Sequence, residues 1–224
     1  MRVLDALAEL LFPTHCAGCE LPGSVLCDGC RAELPRIDPA WECPRCGTPY
    51  GYLTCTECWQ REWSFEAALA LGEFERPLSR AIVLHKDAGE RRLASVLGTL
   101  LAEQVVVRWP GWCDVVAYVP ATREARARRG FDHAHAIAEA VSSELQVQLV
   151  EALGRSAARD QRALGRDARA DNVAGTFSMT MGMGGRVLLV DDVFTTGATF
   201  DAAASTLLAG GAKSVRVAAV ARTW

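Results

Sequence analysis

The sequence lacks an apolar run of the roughly 20 residues that a helix needs to cross a bilayer, so we expect no membrane insertion. It also lacks a strong charge of one sign, because 24 lysines and arginines against 27 acidic residues leave a net charge of −3. That balance gives no overall attraction to nucleic acid or to a membrane surface. Acids at Asp5 and Glu9 are atypical of a signal peptide. We therefore expect a cytoplasmic protein that begins with a short amphipathic helix in residues 1–12.

Cysteine is abundant, and eight of the nine cysteines fall between Cys16 and Cys58. They form four C-x-x-C pairs: Cys16/Cys19, Cys27/Cys30, Cys43/Cys46 and Cys55/Cys58. Two thiolates at this spacing can hold one edge of a tetrahedron around zinc. Seven residues separate the first two pairs and eight the last two, so we favour two sequential four-cysteine sites over an interleaved arrangement.

Disulfide bonds and redox activity are two alternative roles for the cysteine pairs. Disulfides conflict with a reducing compartment, and a redox C-x-x-C normally occurs once, at the start of a helix. The sequence therefore predicts two structural Zn²⁺ ions. Cys113 stands alone beside a strand and is interpreted as a small buried apolar residue.

Downstream of Trp63, apolar runs alternate with helical patterns, as is typical of a mostly parallel sheet with helical crossovers. Strands are predicted at 65–74, 115–119, 175–180, 187–190 and 215–220, and helices at 77–85, 91–107, 132–145 and 202–208. Two basic segments, 123–130 and 155–169, are predicted to be loops, the second of them mobile. We therefore predict an α/β fold in residues 63–224, preceded by a small cysteine-rich module in residues 1–62.

The segment from Asp191 to Thr199 combines the features of an anion site with a pair of acids. A strand of four aliphatic residues ends in Asp191 and Asp192, and the turn Thr195-Thr196-Gly197-Ala198-Thr199 then opens a helix. Such a turn surrounds an anion with backbone N–H groups, hydroxyls and a helix N-terminus. Two carboxylates repel a bare phosphate, so they must have another role. Accepting hydrogen bonds from vicinal ribose hydroxyls or binding Mg²⁺ meets this requirement. A ribose beside a 5′-phosphate meets both requirements.

These residues resemble the phosphoribosyl pyrophosphate (PRPP) loop of type I phosphoribosyltransferases. With the cysteine pairs, the chain is similar to the ComF/GntX family from about Cys16 to Arg222. Further matching positions are Leu84-His85-Lys86-Asp87, Val119-Pro120, Arg129-Gly130-Phe131, Gln161, Ala163-Leu164, Arg166, Arg169, Asn172 and Val173. The family commonly continues Arg-Gly-Phe with Asn-Gln, where this chain has Asp132-His133, and Thr122-Arg123 replaces a commoner histidine-containing segment.

The resemblance implies a Rossmann-like type I phosphoribosyltransferase fold with an N-terminal double zinc ribbon. It also implies a 5′-phosphate site at Thr195, Thr196, Gly197, Ala198 and Thr199. Asp191 and Asp192 would take the ribose hydroxyls and orient Mg²⁺. The implied pyrophosphate cations are Lys86, Arg126, Arg129 and, on a flexible hood, Arg166 and Arg169. In a catalyst, the residues that act on the phosphoribosyl group would be Asp191, Asp192, Arg129 and Lys86.

No motif identifies the acceptor of a phosphoribosyl transfer. Two of the implied binding elements have an alternative interpretation without a ligand. Lys86 could be a solvated residue at the end of a helix, and 155–169 could be a solvated basic loop.

A second interpretation comes from the same family, because ComF proteins are associated with natural competence and the handling of single-stranded DNA. The chain would then bind single-stranded DNA or a competence helicase, and the PRPP site would be regulatory or residual. Two arginine-rich segments, 123–129 and 155–169, fit DNA and pyrophosphate equally well. Four aromatic residues among the cysteine pairs could stack on bases or pack around zinc: Trp41, Tyr50, Tyr52 and Trp59.

Overall fold

The structure is a computed structural model that describes residues 13–49, 51, 53–155 and 176–223. Several predictions lie outside these residues: the N-terminal helix, Tyr50, Tyr52, Arg166, Arg169 and nearly all of the basic segment 155–169. Within the described ranges, no helix is long and apolar enough to span a membrane.

Five parallel strands form the central sheet, in the order β1-β7-β6-β2-β3. Their bounds are β1 (Ala68–Glu73), β2 (Val115–Tyr118), β3 (Gln148–Leu149), β6 (Arg186–Phe194) and β7 (Ser214–Arg222). A separate antiparallel ribbon consists of β4 (Leu153–Arg155) and β5 (Phe177–Met179). The central strands β6 and β7 are buried along most of their length, as expected when helices cover both faces of a parallel sheet.

The helices of the described residues are α1 (Asp28–Ala32), α2 (Thr56–Gln60), α3 (Leu78–Lys86), α4 (Arg92–Arg108), α5 (Arg123–Arg129), α6 (His133–Leu145) and α7 (Ala198–Ala209). Buried side chains of α3, α4 and α6 form one core with Leu188 and Val190 of β6. Those of α7 form a second core with Val187 and Leu189. Alternate residues of β6 therefore enter different cores, which is the period-two pattern of a strand. The predicted α/β fold is confirmed.

The cysteine-rich segment contributes to both cores. Cys16 and Cys30 belong to the core on the α4 face, and Cys43, Cys46 and Cys58 belong to the core on the α7 face. The division of the chain at residue 63 stays a prediction.

One expectation about local structure was wrong, because residues 123–129 form α5 and not a loop. The hydroxyl of Thr122 accepts a hydrogen bond from the Ala125 N–H at 3.2 Å, which caps the first turn. Gly130 ends the helix with a φ of 74°, in the left-handed region that glycine adopts most readily. Both capping residues are visible in the sequence, but the prediction of a loop rested on the high content of arginine.

The two elements on either side of the predicted phosphate turn also have ends that differ from the prediction. Strand β6 continues past residue 190 to Phe194, because Asp191, Val193 and Phe194 still pair with β7. Helix α7 begins at Ala198, four residues before the predicted start. The turn between them is therefore only three residues long, and both acids lie on the strand.

Close packing of α4 against α6 requires the glycine at position 98. A Cβ atom placed there would lie 2.5 Å from the Cβ of Ala140 and 2.8 Å from the carbonyl oxygen of Ile137. Gly98→Val is expected to lower the free energy of unfolding by about 1–3 kcal/mol, because overpacking forces the two helices apart. Urea denaturation followed by circular dichroism measures this loss. The control is Gly182→Val, at a position with no heavy atom within 4 Å of the added Cβ, and equal losses in both variants would contradict the prediction.

Candidate functional site

The carboxyl ends of β6 and β2 flank a point at which the connections diverge. Strand β6 continues through α7 on one face of the sheet, and β2 continues through α5 and α6 to β3, with α6 on the other face. In open α/β sheets, the crevice outside the carboxyl ends of strands at such a point is the usual place for a ligand. Val190 pairs with Tyr118 across these strands, so the segments that follow them emerge side by side.

A buried charged cluster lies at this edge of the sheet. The Nζ of Lys86 lies 2.6 Å from Oδ2 of Asp192, and Nε2 of His133 lies 3.5 Å from the same oxygen. Ligand atoms of His133, Asp191 and Asp192 all fall within 4.8 Å of one another. The structure thus brings together the predicted residues Lys86, Asp191 and Asp192, and it adds His133, which the sequence did not single out for this place.

The two neighbouring carboxyls differ in their ionisation. Burial disfavours the charged form of Asp192, but the hydrogen bond with His133 and the charge of Lys86 lower the pKa of Asp192 below its usual range. Burial, together with the adjacent charge of Asp192, raises the pKa of Asp191. Asp192 is therefore the ionised member of the pair, and Asp191 becomes easier to ionise when a cation approaches.

His85 explains why these groups converge. It is fully buried, and its two ring nitrogens lie 3.2 Å from the carbonyl oxygen of His133 and 3.3 Å from that of Glu90. The ring also packs edge-on against Phe131. The last turn of α3, which carries Lys86, is thereby held against the start of α6, which carries His133.

The predicted pyrophosphate cations on α5 already have carboxylate partners. A guanidinium nitrogen of Arg129 lies 3.0 Å from Oδ1 of Asp87, the residue after Lys86. Arg126 donates to Oδ2 of Asp132 at 3.1 Å. Arg129 is thus tied to the segment that carries Lys86, whereas Arg126 is tied to the start of α6.

The Asp132-His133 departure from the family pattern has a structural use for each residue. Asp132 caps α6 by accepting from the N–H of His135 at 3.4 Å, and it accepts from the N–H of Ala121 at 2.9 Å. His133 is the residue that reaches Asp192. The cap of Asp132 on α6 is a local contact that the sequence can indicate, whereas the contact of His133 with Asp192 joins segments distant in sequence, so no local signal identifies it.

The turn 195–197 and the start of α7 form the predicted phosphate loop. Thr195 and Thr196 are exposed, and Ala198 and Thr199 belong to the first turn of α7. The first N–H groups of a helix have no partner inside the helix and are free to bind an anion. Gly197 has a φ of 78°, and a Cβ there would lie 2.7 Å from two ring atoms of Trp63. Both the positive φ and the packing of Trp63 against the turn therefore require glycine at this position.

The eight paired cysteines form two clusters, Cys16/Cys19/Cys27/Cys30 and Cys43/Cys46/Cys55/Cys58. In each cluster the four sulfurs lie within 4.8 Å of one another, and the Cys16–Cys27 and Cys46–Cys55 sulfur distances are both 3.6 Å. Four sulfurs at about 2.3 Å from a tetrahedral Zn²⁺ lie about 3.8 Å apart. The sequential arrangement is confirmed, and both clusters could hold a structural zinc ion.

The environment of the sulfurs also suits a bound cation. Backbone N–H groups of Cys27 and Cys55 donate to the sulfurs of Cys16 and Cys43, each at 3.3 Å. A hydrogen bond from Cys46 lowers the pKa of the Cys43 thiol to about 4, and the same interaction raises the pKa of Cys46. Cys43 thus loses its proton readily, whereas Cys46 retains its proton. Ionisation of all four thiols of the cluster therefore needs a metal ion to balance the negative charge.

Comparison with known proteins adds a family model and full-length relatives. A model described as "Phosphoribosyl transferase domain" matches residues 132–223. The chain is 30% identical to the "DNA utilization protein YhgH" of Escherichia coli, over 96% of this chain and 99% of that protein. It is 25% identical to the "Competence protein ComFC" of Streptococcus pneumoniae, over 89% and 88%. The crystal structure of a purine phosphoribosyltransferase from Pyrococcus horikoshii is 18% identical, covers 59% of this chain and 83% of that one, and has a TM-score of 0.38.

The cysteine geometry predicts about two zinc ions per chain, one for each set of four thiolates. Cys46→Ser should reduce the content to about one, because a serine hydroxyl does not replace a thiolate ligand. Elemental analysis of protein purified anaerobically without chelators measures this. Cys113→Ser is the matched control, since Cys113 belongs to neither cluster, and it should retain both ions. Fewer than one zinc per wild-type chain would contradict the metal assignment.

Proposed function

Because the chain belongs to the ComF/GntX family of proteins with a phosphoribosyltransferase domain, we propose that it binds PRPP with Mg²⁺ at the carboxyl ends of β6 and β2. The observation that carries the proposal is the buried Asp192, paired with Lys86 and His133, three residues before an open turn that begins a helix. A ribose with a charged group at each end requires this combination of donors and acceptors.

The turn and the start of α7 suit the 5′-phosphate. The hydroxyls of Thr195, Thr196 and Thr199 and the N–H groups of the first helical turn supply donors, and the helix dipole favours negative charge. Among these, the N–H of Ala198 donates to the Thr196 hydroxyl at 3.4 Å, a long contact that a phosphate oxygen would replace. Exposure of Thr195 and Thr196 leaves the turn accessible.

The acidic pair suits the ribose and the metal. Asp191 and Asp192 present carboxylate oxygens, which accept hydrogen bonds from ribose hydroxyls and are the ligands that Mg²⁺ prefers. Mg²⁺ bound with PRPP would supply positive charge to the pyrophosphate. Lys86 keeps Asp192 ionised and in place, with 30% of its own side chain exposed, so it lies at the border between the acids and solvent.

The pyrophosphate would be held by Lys86 and Arg129. Asp87, the partner of Arg129, is 55% exposed, whereas the side chain of Arg129 is only 12% exposed. Because the carboxylate is largely solvated, a pyrophosphate of higher charge would compete with it for Arg129. The contributions of Arg126, Arg166 and Arg169 stay predictions.

The same arrangement supports transfer of the phosphoribosyl group. A nucleophile would attack the anomeric carbon as pyrophosphate departs, so positive charge develops on the sugar and negative charge on the leaving oxygens. The acids would hold the ribose, and Lys86 and Arg129 would stabilise the leaving group. A screen of candidate acceptors with release of pyrophosphate as the readout tests turnover.

PRPP with Mg²⁺ is expected to raise the melting temperature of the protein, because a ligand that binds only the folded state stabilises it. The double variant Asp191→Asn with Asp192→Asn should lose this shift, since both carboxylates of the site become neutral. Differential scanning fluorimetry measures it. Asp114→Asn is the control, because Asp114 is an exposed carboxylate just before β2, at the opposite end of the strands. A shift that survives in the double variant would exclude the carboxylates from the site.

A second function, binding of single-stranded DNA, has its own support. Trp59 is 81% exposed and Trp41 is 55% exposed, and both are close in sequence to cysteines of the second cluster. Side chains that pack around a zinc site are buried, so such packing does not explain the exposure of these two indoles. Exposed indoles can stack on bases. Arg123 and Arg128 of α5 are also exposed. The relative from Escherichia coli is named a DNA utilization protein.

Trp59→Ala is expected to weaken binding of a single-stranded oligonucleotide, because stacking on an aromatic ring contributes about 1–3 kcal/mol per base. Fluorescence anisotropy at several salt concentrations measures the affinity and the number of phosphates neutralised. Val107→Ala removes a comparably exposed apolar side chain from α4 and should leave the affinity unchanged. An affinity that is independent of Trp59 would remove this indole from a DNA site.

A further inference from the structure

Trp63 contacts both the second cysteine cluster and the phosphate loop. Its indole Nε1–H donates to the sulfur of Cys58 at 3.1 Å, and both residues are buried. The opposite edge of the same ring lies against Gly197, where an added Cβ would be 2.7 Å from Cζ3 and from Cη2. A single rigid side chain thus joins a metal-ligating sulfur to the turn that precedes α7.

The surroundings of Trp63 leave its ring little freedom. It stacks on Phe65 with ring centres 5.0 Å apart, and the edge of Phe194 meets it at 6.3 Å. The guanidinium of Arg61 covers the ring at 3.8 Å. Phe194 in turn stacks on Phe200 of α7 at 5.2 Å. In a close-packed group of this kind, a shift of the indole must displace Gly197 or Phe194.

A second contact links the same cluster to the end of β6. Arg222 donates to the sulfur of Cys46 at 3.5 Å, and its guanidinium lies 4.1 Å from the centre of the Phe194 ring. Arg222 is only 3% exposed, and its Nε and Nη1 have no hydrogen-bond partner. A Zn²⁺ ion with four thiolates carries a net charge of −2, which a buried arginine at this position stabilises.

The first cysteine cluster makes different contacts. It is held against α3, where Arg80 donates to the carbonyl oxygen of Ala17 at 2.9 Å and Pro77 lies close to Gly18. The link through an indole to the phosphate loop is therefore a property of the second cluster.

We infer that Trp63 is a positioning residue through which metal binding at Cys43/Cys46/Cys55/Cys58 and phosphate binding at the 195–199 loop favour each other. A metal ion bound by all four sulfurs would fix the position of the Cys58 sulfur, and with it the indole N–H that donates to this sulfur. Loss of the metal therefore releases the ring that packs beneath Gly197. This inference rests on the proposed function, because the phosphate in question is that of PRPP.

Coupling between two sites is reciprocal. If the metal strengthens binding of PRPP, then PRPP must strengthen retention of the metal by the same factor. Competition for zinc with the chromogenic chelator pyridylazoresorcinol, brought to equilibrium with and without PRPP and Mg²⁺, measures this. In the wild type, PRPP should raise the chelator concentration that removes one of the two zinc ions by about fivefold or more, which is the lower range of typical couplings. Removal of the other ion, in the first cluster, should need an unchanged chelator concentration.

Trp63→Phe keeps an aromatic ring against Gly197 but removes the N–H that donates to Cys58. The variant should retain zinc in both clusters, bind PRPP more weakly in a calorimetric titration, and lose the effect of PRPP on zinc release. Trp112→Phe is the matched control, since it makes the same chemical change at an indole just before β2, at the opposite end of the strands. It should behave as the wild type.

The outcomes separate the inference from the proposed function. Wild-type protein that fails to bind PRPP in the calorimetric titration overturns both. Wild-type protein that binds PRPP but loses both zinc ions at the same chelator concentrations with and without PRPP overturns the inference alone, as does Trp63→Phe with intact coupling. A measurement without a Trp63 variant uses the cobalt-substituted wild type, whose thiolate-to-metal absorption should change on addition of PRPP. Cys46→Ser should abolish that change, and an unchanged wild-type spectrum overturns the inference.

Discussion

A buried carboxylate at the end of a parallel strand requires donors from neighbouring segments, and this requirement organises the candidate site. Asp192 is 3% exposed, and its ionised form is stable only because Lys86 and His133 reach it. The two partners come from the last residue of α3 and the first residue of α6. One carboxylate thus fixes the ends of three elements that are far apart in the sequence.

Asp191 has the opposite environment, and the contrast matters for ligand binding. It adjoins an ionised carboxylate in a buried place, so its own ionisation is disfavoured until positive charge arrives. A carboxyl pair in these two states accepts hydroxyl donors and a divalent cation better than it accepts a bare anion. On the proposed function, the phosphate would therefore bind farther along the chain, at the turn before α7. The order of acids and turn in the sequence fits this separation of charge.

Much of this arrangement follows from local sequence patterns. The apolar runs predicted four of the five strands of the central sheet but not the two-residue strand β3. The spacing of the cysteine pairs predicted the sequential clusters, because both patterns report local geometry. The place of Lys86 in the site rested on a family resemblance, and its contact with Asp192 was not predicted, since no local rule joins residues 106 positions apart. His133 and Trp63 were not predicted at all, because their importance depends on which segments meet in space. The helix at 123–129 was missed although Thr122 and Gly130 are ordinary capping residues, since its arginines were interpreted through charge alone.

The positions of the two cysteine clusters follow from a weakness of this fold. Loops at the carboxyl ends of parallel strands extend beyond the sheet, so no neighbouring strand supports them. In this chain the first cluster packs against α3, whose last residue is Lys86, and the second packs through Trp63 against Gly197. Each cluster thereby supports one half of the candidate site, the first on the side of the acids and the second on the side of the phosphate turn. With a metal ion in each cluster, a segment poor in apolar residues would gain rigidity from metal–thiolate bonds. That rigidity would act where the sheet itself gives least support.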